Sequence, residues 1–192
     1  MDYCADWLQD SQGGLLPDWE ISPSQNQALV ASVRSGADNA RLLKSLQAAG
    51  FQVRFARVVD EQQGLICGYA VPEQLGIDRW LSMLACWTRL ERGFVLVSAG
   101  TALTVDLVFS TGKHGGGYIA AGLGLGRSAL LSRSEKLRAQ YRAGSAELSP
   151  GRDTSSAIDN GALFAAVGLI RSVKSMAGMG KAKLVISGGD AL

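Results

Sequence analysis

A short turn between two predicted strands carries residues suited to binding an anion. Residues 98–101, Ser-Ala-Gly-Thr, follow the apolar residues 94–97. They precede residues 102–108, where Leu103, Val105 and Leu107 alternate with Thr104, Asp106 and Val108. This pattern predicts a hairpin of two strands. Because Gly100 has no side chain, backbone N–H groups can approach an anion closely, and Thr101 adds a hydroxyl donor. The turn therefore suits a phosphate group, although ordinary tight turns have the same composition.

A second candidate group lies at the start of a predicted helix. From about Gly76, apolar side chains recur at helical spacing, which places Asp78 and Arg79 in the first turn. The helix dipole favours an ionised carboxylate there, and the guanidinium fork suits a carboxylate or phosphate. The helix alone leaves open whether Asp78 has a chemical role or is an ordinary first-turn acid.

A third segment is rich in glycine. Residues 116–122 are predicted to form a strand, and Gly122, Gly124 and Gly126 open a helix predicted to run toward Arg142. A strand, glycines and a helix in this order also form the dinucleotide-binding arrangement. The spacing is G-x-G-x-G, and no acidic residue ends a following strand, so close packing of the helix start on a sheet is favoured.

The elements around these segments alternate as in an α/β protein. Strand, helix and strand in residues 28–59 predict a parallel unit, with Asp38 as the helix cap. Thr154 or Ser155 can cap a later helix that is rich in small residues. The second strand of this unit is predicted at residues 51–59, and two further strands are predicted at residues 65–70 and 183–186.

Composition excludes several classes of protein. The 192 residues are 47% apolar, enough for one full core or two small lobes. Net charge is +2 without a basic block, so no nucleic-acid partner is indicated. The apolar runs are too short for a bilayer and the acidic first six residues do not suit a signal peptide, so we expect a cytoplasmic protein without a membrane partner. Three cysteines without metal spacing, and a single histidine, His114, predicted as an exposed loop residue, argue against zinc.

Four short segments, taken in order, resemble the type III pantothenate kinases. The resemblance spans about residues 28 to 192, and the ordered set is more specific than any one segment. The segments are Tyr69 with Gly-Ile-Asp-Arg-Trp at 76–80, Gly-Thr-Ala-Leu-Thr-Val-Asp at 100–106, Gly-Gly-Tyr-Ile at 116–119 with Gly122, and Ser-Gly-Gly-Asp at 187–190.

The resemblance implies an α/β fold of the actin/Hsp70/sugar-kinase type, built from two ribonuclease-H-like lobes. An incomplete N-terminal lobe would occupy residues 1–75 and a C-terminal lobe residues 76–192. The implied activity is ATP-dependent phosphorylation of pantothenate to 4′-phosphopantothenate, the first step of coenzyme A biosynthesis. It also implies Mg²⁺, a monovalent cation such as K⁺ or NH4⁺, and a homodimer.

The resemblance also assigns roles to individual residues. Asp78 would be the base that acts on the pantothenate hydroxyl. Positioning and charge neutralisation dominate phosphoryl transfer, so an ionised carboxylate suffices as a weak base. Pantothenate would be held by Tyr69, Gly76, Ile77, Arg79 and Thr154. ATP would be bound by Gly100, Thr101, Gly188 and Gly189.

Two departures from the family pattern lower the expected activity. The family opens with an Asp-x-Gly-Asn turn that this sequence lacks, and Ser98 stands where the family has the Asp associated with the monovalent cation. A neutral hydroxyl does not neutralise a cation as a carboxylate does. Ala121, where the family usually has Pro, is a smaller change. Loss of one such element commonly costs about 10²-fold in rate, so weak or absent turnover is predicted.

Three hypotheses follow from the sequence. The first is a pantothenate kinase shortened at both ends, and the second is a non-catalytic relative that binds a ligand or dimerises. The third is an unrelated dinucleotide-binding oxidoreductase built on residues 122–126. The third requires that residues 94–108 form a strand and a helix rather than a hairpin.

Overall fold

The computed structural model describes residues 26–176 and 179–191. The described residues fall into two compact units, which divide between Ala56 and Arg57. The acidic first six residues and Cys4, on which part of the predicted location and of the prediction against zinc depends, lie outside the described residues. The lobe boundary placed between residues 75 and 76 stays a prediction.

The described part of the first unit is a parallel β-α-β arrangement. Strand β1 (Gln27–Val30) pairs in parallel with β2 (Gln52–Phe55), and helix α1 (Gly36–Ala48) lies between them in sequence. The predicted strand–helix–strand unit is therefore confirmed. The helix begins one turn earlier than expected, because the side chain of Ser35 accepts the N–H of Asp38 and so acts as the cap.

The second unit begins with short elements that lead into a long helix. Strands β3 (Glu61–Gln62) and β4 (Leu65–Ile66) form a small antiparallel pair. A 3₁₀ turn at Pro72–Gln74 then precedes helix α2 (Ile77–Leu90). The helix starts where its apolar spacing predicted.

A mixed sheet of four strands forms the centre of the second unit. The strands are β5 (Phe94–Ala99), β6 (Ala102–Val108), β7 (His114–Ala121) and β8 (Lys183–Ser187), and their order in the sheet is β7-β6-β5-β8. Antiparallel pairing joins β5 to β6 and β6 to β7, whereas β8 pairs in parallel with β5. The predicted hairpin is thus confirmed, which removes the strand and helix that a dinucleotide-binding arrangement requires at this place.

The helices after the sheet differ from the prediction in two places. The single helix expected from Gly122 toward Arg142 is two helices, α3 (Leu123–Ser132) and α4 (Glu135–Gln140). Ser134 separates them because its backbone is extended and its side chain caps α4.

The last helix, α5 (Thr154–Lys174), also begins with a cap other than the one expected. Its cap is Asp153, one residue before the predicted Thr154 or Ser155. Asp153 accepts the Ser156 N–H, and the Ser156 hydroxyl bonds back to the Asp153 N–H, which is a capping box.

The two faces of strand β6 have different partners, because successive side chains of a strand point to opposite faces. On one face, its apolar side chains pack with the end of α5. On the other face, Asp106 bonds to Arg79 of α2. The core on the α5 side is made by Val95, Val97, Leu103, Val105, Leu107, Val173, Met179 and Ala182. None of the helices in ranges 26–176 and 179–191 has the length and apolarity needed to cross a bilayer.

Two glycines near α5 should respond in opposite ways to alanine substitution. A Cβ built on Gly168 has no atom within 4 Å, whereas one built on Gly151 would overlap the backbone of Ser156 and Ala157. Gly168→Ala is therefore expected to raise the free energy of unfolding by about 0.5–1 kcal/mol, the usual gain in a helix interior. Gly151→Ala should lower it. Urea denaturation of both variants checks the pair, and equal effects would contradict the described packing.

Candidate active site

A buried ion pair joins the first turn of α2 to the sheet. Arg79 Nε lies 3.0 Å from Asp106 Oδ2, and Arg79 Nη2 lies 2.5 Å from Asp106 Oδ1. The two residues are 7% and 1% exposed. This two-point contact uses the edge of the Arg79 guanidinium that was predicted from the sequence to bind a carboxylate or phosphate. In the folded chain, Asp106 occupies that edge of Arg79.

His114 extends the ion pair on its other side. The prediction that His114 is an exposed loop residue is wrong, because it begins β7 and is fully buried. Its Nε2 lies 3.0 Å from Asp106 Oδ1. Since an ionised carboxylate only accepts hydrogen bonds, His114 Nε2 carries the proton and donates it. The glycines on either side in sequence concealed this burial, which results from pairing of β7 with β6.

Tyr69 closes a ring of contacts, which we call the Arg79 ring: Tyr69, Arg79, Asp106 and His114. Arg79 Nη1 donates to the Tyr69 hydroxyl at 3.1 Å. The Tyr69 ring stacks on the His114 imidazole with centroids 5.8 Å apart and planes 11° apart. Each member therefore contacts two others. The ring ties together α2, two strands and the segment before α2.

The charges in the Arg79 ring shift the pKa values of the buried pair. Burial disfavours the charged form of Asp106, but the hydrogen bond from His114 and the charge of Arg79 outweigh burial and lower the pKa of Asp106 below its ordinary 3.8. Burial likewise opposes the charge on Arg79, yet contact with Asp106 and Tyr69 raises its pKa further. Both groups are charged across the physiological range.

This shift predicts a dependence of stability on pH. A carboxyl whose pKa is lowered by folding contributes stability that is complete above its ordinary pKa and disappears as the pH falls through the folded value. The wild type should therefore lose stability below about pH 4 more steeply than Asp106→Asn. Urea titrations between neutral and acid pH measure this, with the exposed Asp60→Asn as the control. An Asp106→Asn curve that parallels the wild type would contradict the assignment.

Asp78 lies beside this ring in sequence and is exposed in the first turn of α2. Gly76 precedes the helix, and a Cβ built on it would lie 2.6 Å from Asp78 Oδ1. A side chain at position 76 would therefore displace the Asp78 carboxylate from this rotamer. Ile77 is buried at 7% exposure, so its side chain belongs to the core.

The turn between β5 and β6 packs against the start of α3. Gly100 donates its N–H to the Ala102 carbonyl, so that donor is used inside the turn. Gly122 donates to the Thr101 carbonyl at 3.0 Å. A Cβ on Gly122 would overlap the Gly100 carbonyl, which explains the glycine there. The Thr101 side chain is exposed, and a Cβ on Gly100 would meet no atom within 4 Å, so the space beside the turn is open.

The end of β8 lies next to the end of β5. Gly188 has φ of 104°, and a side chain on it would overlap the backbone of Ala99. Ser98 is paired with Thr104 on one side and with Ser187 on the other. A row of three hydroxyl side chains, those of Ser187, Ser98 and Thr104, therefore crosses the sheet here. Gly188 and Gly189 are exposed just beyond it.

Thr154 belongs to a different surface, a groove of about 1050 Å³ between α3, α5 and the sheet. Thr154, Arg152 and Arg127 lie along it together with many small apolar side chains. Asp78, Arg79 and Thr101 are not among its lining residues. The structure thus brings Tyr69 and Arg79 together and places the Gly188 backbone against β5, but it puts Thr154 on another surface.

A second buried carboxylate, missed in the sequence, holds the helices of this groove together. Asp159 is 2% exposed, and its Oδ1 lies 2.8 Å from Arg127 Nε. The Tyr141 hydroxyl donates to the same carboxylate at 2.9 Å. Burial and this hydrogen bond raise the pKa of Tyr141. Arg127, Asp159 and Tyr141 therefore join α3, α5 and the residue that follows α4.

The mixed sheet with flanking helices defines an α/β protein, and a solved structure shares this fold. That structure is from Campylobacter jejuni and is described as a conserved Baf family transcriptional activator. The TM-score is 0.51 at 21% identity, over 76% of this chain and 73% of the other. The sequence model of the type III pantothenate kinase family matches residues 5–175, and the chain belongs to this family.

Individual relatives support the family at higher identity. A type III pantothenate kinase of Acinetobacter baumannii is 40% identical over 163 residues, which are 84% of this chain and 64% of that protein. One of Cellvibrio japonicus is 37% identical over 171 residues, 86% of this chain and 68% of the relative. The chain thus spans a little under two thirds of the length of the Acinetobacter relative. The family implies a sugar-kinase-like fold; the arrangement of lobes stays a prediction.

Proposed function

We propose that the chain catalyses transfer of the γ-phosphoryl group of ATP to pantothenate, giving 4′-phosphopantothenate in the first step of coenzyme A biosynthesis. The observation that carries the proposal is the exposed Asp78 carboxylate beside the buried Arg79–Asp106 pair, within the segment that matches the family. A cytoplasmic location accompanies this role.

In this proposal, Asp78 accepts the proton of the pantothenate hydroxyl as that oxygen attacks phosphorus. The bond between the γ-phosphorus and the bridging oxygen of ATP breaks, and ADP leaves. Because the transition state is loose, the proton is transferred late and the protein acts mainly by holding the two oxygens in line. Exposure of Asp78 allows a substrate hydroxyl to reach it, while the neighbouring Arg79 is fixed.

The other site residues keep their proposed roles with adjustments from the geometry. Tyr69 and Arg79 meet at 3.1 Å and would contact pantothenate together, next to the backbone of Gly76 and Ile77. Thr101 offers its exposed hydroxyl to an ATP phosphate beside Gly100. The exposed Gly188-Gly189 segment would border the adenosine. Thr154 lines the groove, which includes none of these residues, so it is not proposed to contact pantothenate beside Asp78.

The proposed reaction also involves metal ions. Among residues 26–176 and 179–191, no group of three or more His, Cys, Asp and Glu side chains could hold a metal ion. Asp106 is committed to Arg79 and His114. Mg²⁺ would therefore arrive with the ATP phosphates, where it neutralises charge on the transferred group. Ser98, Thr104 and Ser187 provide only neutral oxygens, which do not match the family's carboxylate for K⁺ or NH4⁺.

This mismatch favours a second candidate function. A relative that binds pantothenate or ATP without phosphoryl transfer would not need the carboxylate that Ser98 replaces. One experiment separates the two functions: the purified chain is incubated with ATP, Mg²⁺, K⁺ and pantothenate, and products are identified by mass spectrometry. A mass for 4′-phosphopantothenate supports the kinase. Binding of pantothenate without product supports the second function. If the chain neither forms the product nor binds pantothenate or ATP, both functions are overturned.

We also propose that the chain forms a homodimer through the groove. The groove is lined mainly by apolar side chains, and Leu130 on its edge is 52% exposed. Apolar side chains exposed along a groove are a common feature of contact sites between proteins.

The dimer predicts a specific effect of one substitution. Leu130→Asp should place a charge in the contact and shift the protein to monomers, because an unpaired buried charge is strongly unfavourable. Light scattering coupled to gel filtration measures the mass of each variant. Leu148→Asp is the control, since Leu148 is similarly exposed at 47% but does not line the groove. An unchanged mass for Leu130→Asp would contradict the proposed contact.

A further inference from the structure

The Arg79 ring carries more than the roles assigned to Tyr69 and Arg79. A guanidinium has five N–H donors. In Arg79, Nε and Nη2 each bond to Asp106, and Nη1 bonds to Tyr69. Donors remain on Nη1 and Nη2, but the edge best suited to a two-point contact with a ligand is taken. The orientation of Arg79 is therefore set by Asp106 and not by the substrate.

The burial of His114 is unfavourable for the stability of the fold. It is fully buried, and its Nδ1 has no hydrogen-bond partner among the groups that the structure describes. An unpaired buried polar atom is destabilising. An apolar ring of similar size would fill the same space and stack on Tyr69 without that cost. The group that His114 alone supplies is the Nε2–H that donates to Asp106.

The backbone of β7 leaves room for this arrangement. A Cβ built on Gly117 would lie 2.7 Å from Arg79 Nη2 and would overlap the Asp106 carboxylate. Gly117 is paired with Asp106 in the sheet. The glycine therefore lets the ion pair lie directly on the strand, where it could not fit beside any other residue type.

We infer that Asp106 and His114 are positioning residues for the proposed pantothenate site. They hold the Arg79 guanidinium in one orientation, which keeps Nη1 on the Tyr69 hydroxyl and the first turn of α2, with Asp78, against the sheet. Neither residue contacts the substrate; both act through Arg79. The inference rests on the proposed function for the identity of the ligand.

Two substitutions of His114 separate the hydrogen bond from the stacking. His114→Phe keeps a ring on Tyr69 but removes the donor to Asp106. His114→Gln loses the ring but keeps an amide N–H that can donate to Asp106. Calorimetric titration of each variant with pantothenate, and separately with ATP and Mg²⁺, measures both affinities, and thermal unfolding measures stability.

The expected result distinguishes positioning from a structural role. His114→Phe should weaken pantothenate binding by about tenfold, because an Arg79 guanidinium that is no longer held in one orientation must be ordered when the ligand binds. Its ATP affinity should be unchanged. Its melting temperature should stay within about 3 °C of the wild type, because removal of the unpaired Nδ1 offsets the lost bond to Asp106. His114→Gln should retain pantothenate affinity to within about threefold. Equal losses for both ligands, or unchanged pantothenate binding in His114→Phe, would overturn the inference while leaving the proposed function in place.

Pantothenate binding by the wild type distinguishes failure of the proposed function from failure of the inference alone. If it binds no pantothenate, the proposed function fails and the inference fails with it. A spectroscopic test needs no ligand at all, because His114 is the sole histidine of the chain and its nitrogen-15 signals need no assignment. A proton bound to Nε2 in the wild type, with signals that shift in Asp106→Asn, is expected. A ring protonated at Nδ1 alone would overturn the described contact.

Discussion

Replacing Asp106 with alanine should lower the free energy of unfolding by about 3–5 kcal/mol, the usual cost of removing one partner of a buried ion pair. The loss is large because Arg79, at 7% exposure, would keep its charge without the carboxylate that balances it. His114 would lose its acceptor at the same time. Since domains of this kind have a total stability of about 5–15 kcal/mol, the variant should unfold at much lower urea concentration.

A double variant tests whether the cost comes from the unpaired charge. Arg79→Met combined with Asp106→Leu removes both charges and fills the space with apolar side chains. Such replacements of a buried pair are often neutral, so the double variant should be more stable than Asp106→Ala alone. If instead the two substitutions add to a larger loss, the unpaired charge is not the cause, and the energetic account of this pair is wrong.

Asp78→Asn should lower the rate of pantothenate phosphorylation by about 10²–10⁴-fold, the range in which a general base contributes. An amide of the same shape cannot accept the hydroxyl proton. The fold should be unaffected, because Asp78 is exposed and no ion pair or hydrogen bond of the Arg79 ring depends on it. Steady-state kinetics and thermal unfolding of the same preparation measure both effects.

The chain offers a matched control for this substitution. Asp38 is also an exposed acid in the first turn of a helix, in α1. Asp38→Asn should leave the rate unchanged, although it removes the same charge from the same kind of position. Equal rates for the two variants would reject Asp78 as the base, and loss of folding in Asp78→Asn would assign it a structural role.

Features that depend on local pattern could be predicted from the sequence. The hairpin of β5 and β6 follows from an apolar run, a glycine turn and an alternating segment. The start of α2 follows from apolar spacing after Gly76. Both place Asp78 and Thr101 at exposed ends of elements, where a ligand can reach them.

Features that depend on pairing between distant segments could not be predicted in this way. His114 follows Gly112-Lys113 and precedes three glycines, and nothing nearby in sequence indicates that it is buried against Asp106. The sequence does indicate that Asp106 needs a partner, because it is an acid between Val105 and Leu107 in a buried strand. That partner, Arg79, lies 27 residues earlier, and only the fold brings the two together.

Local competition between caps explains the errors at helix boundaries. Ser134 offers its hydroxyl to α4 and so ends the helix that apolar spacing alone would have continued. Asp153 and Ser156 form reciprocal bonds that Thr154 could not make. The residue types were compatible with either choice, and the backbone geometry decided between them.

Transfer of labelled phosphate tests the central claim most directly. The purified chain is given ATP labelled in the γ-phosphoryl group, with Mg²⁺, K⁺ and pantothenate, and the label on pantothenate is followed with time. The account predicts label on the 4′-oxygen, at a low rate in the wild type and at a rate lower by about 10²-fold or more in Asp78→Asn. No label in the wild type, or equal label in the two proteins, would contradict it.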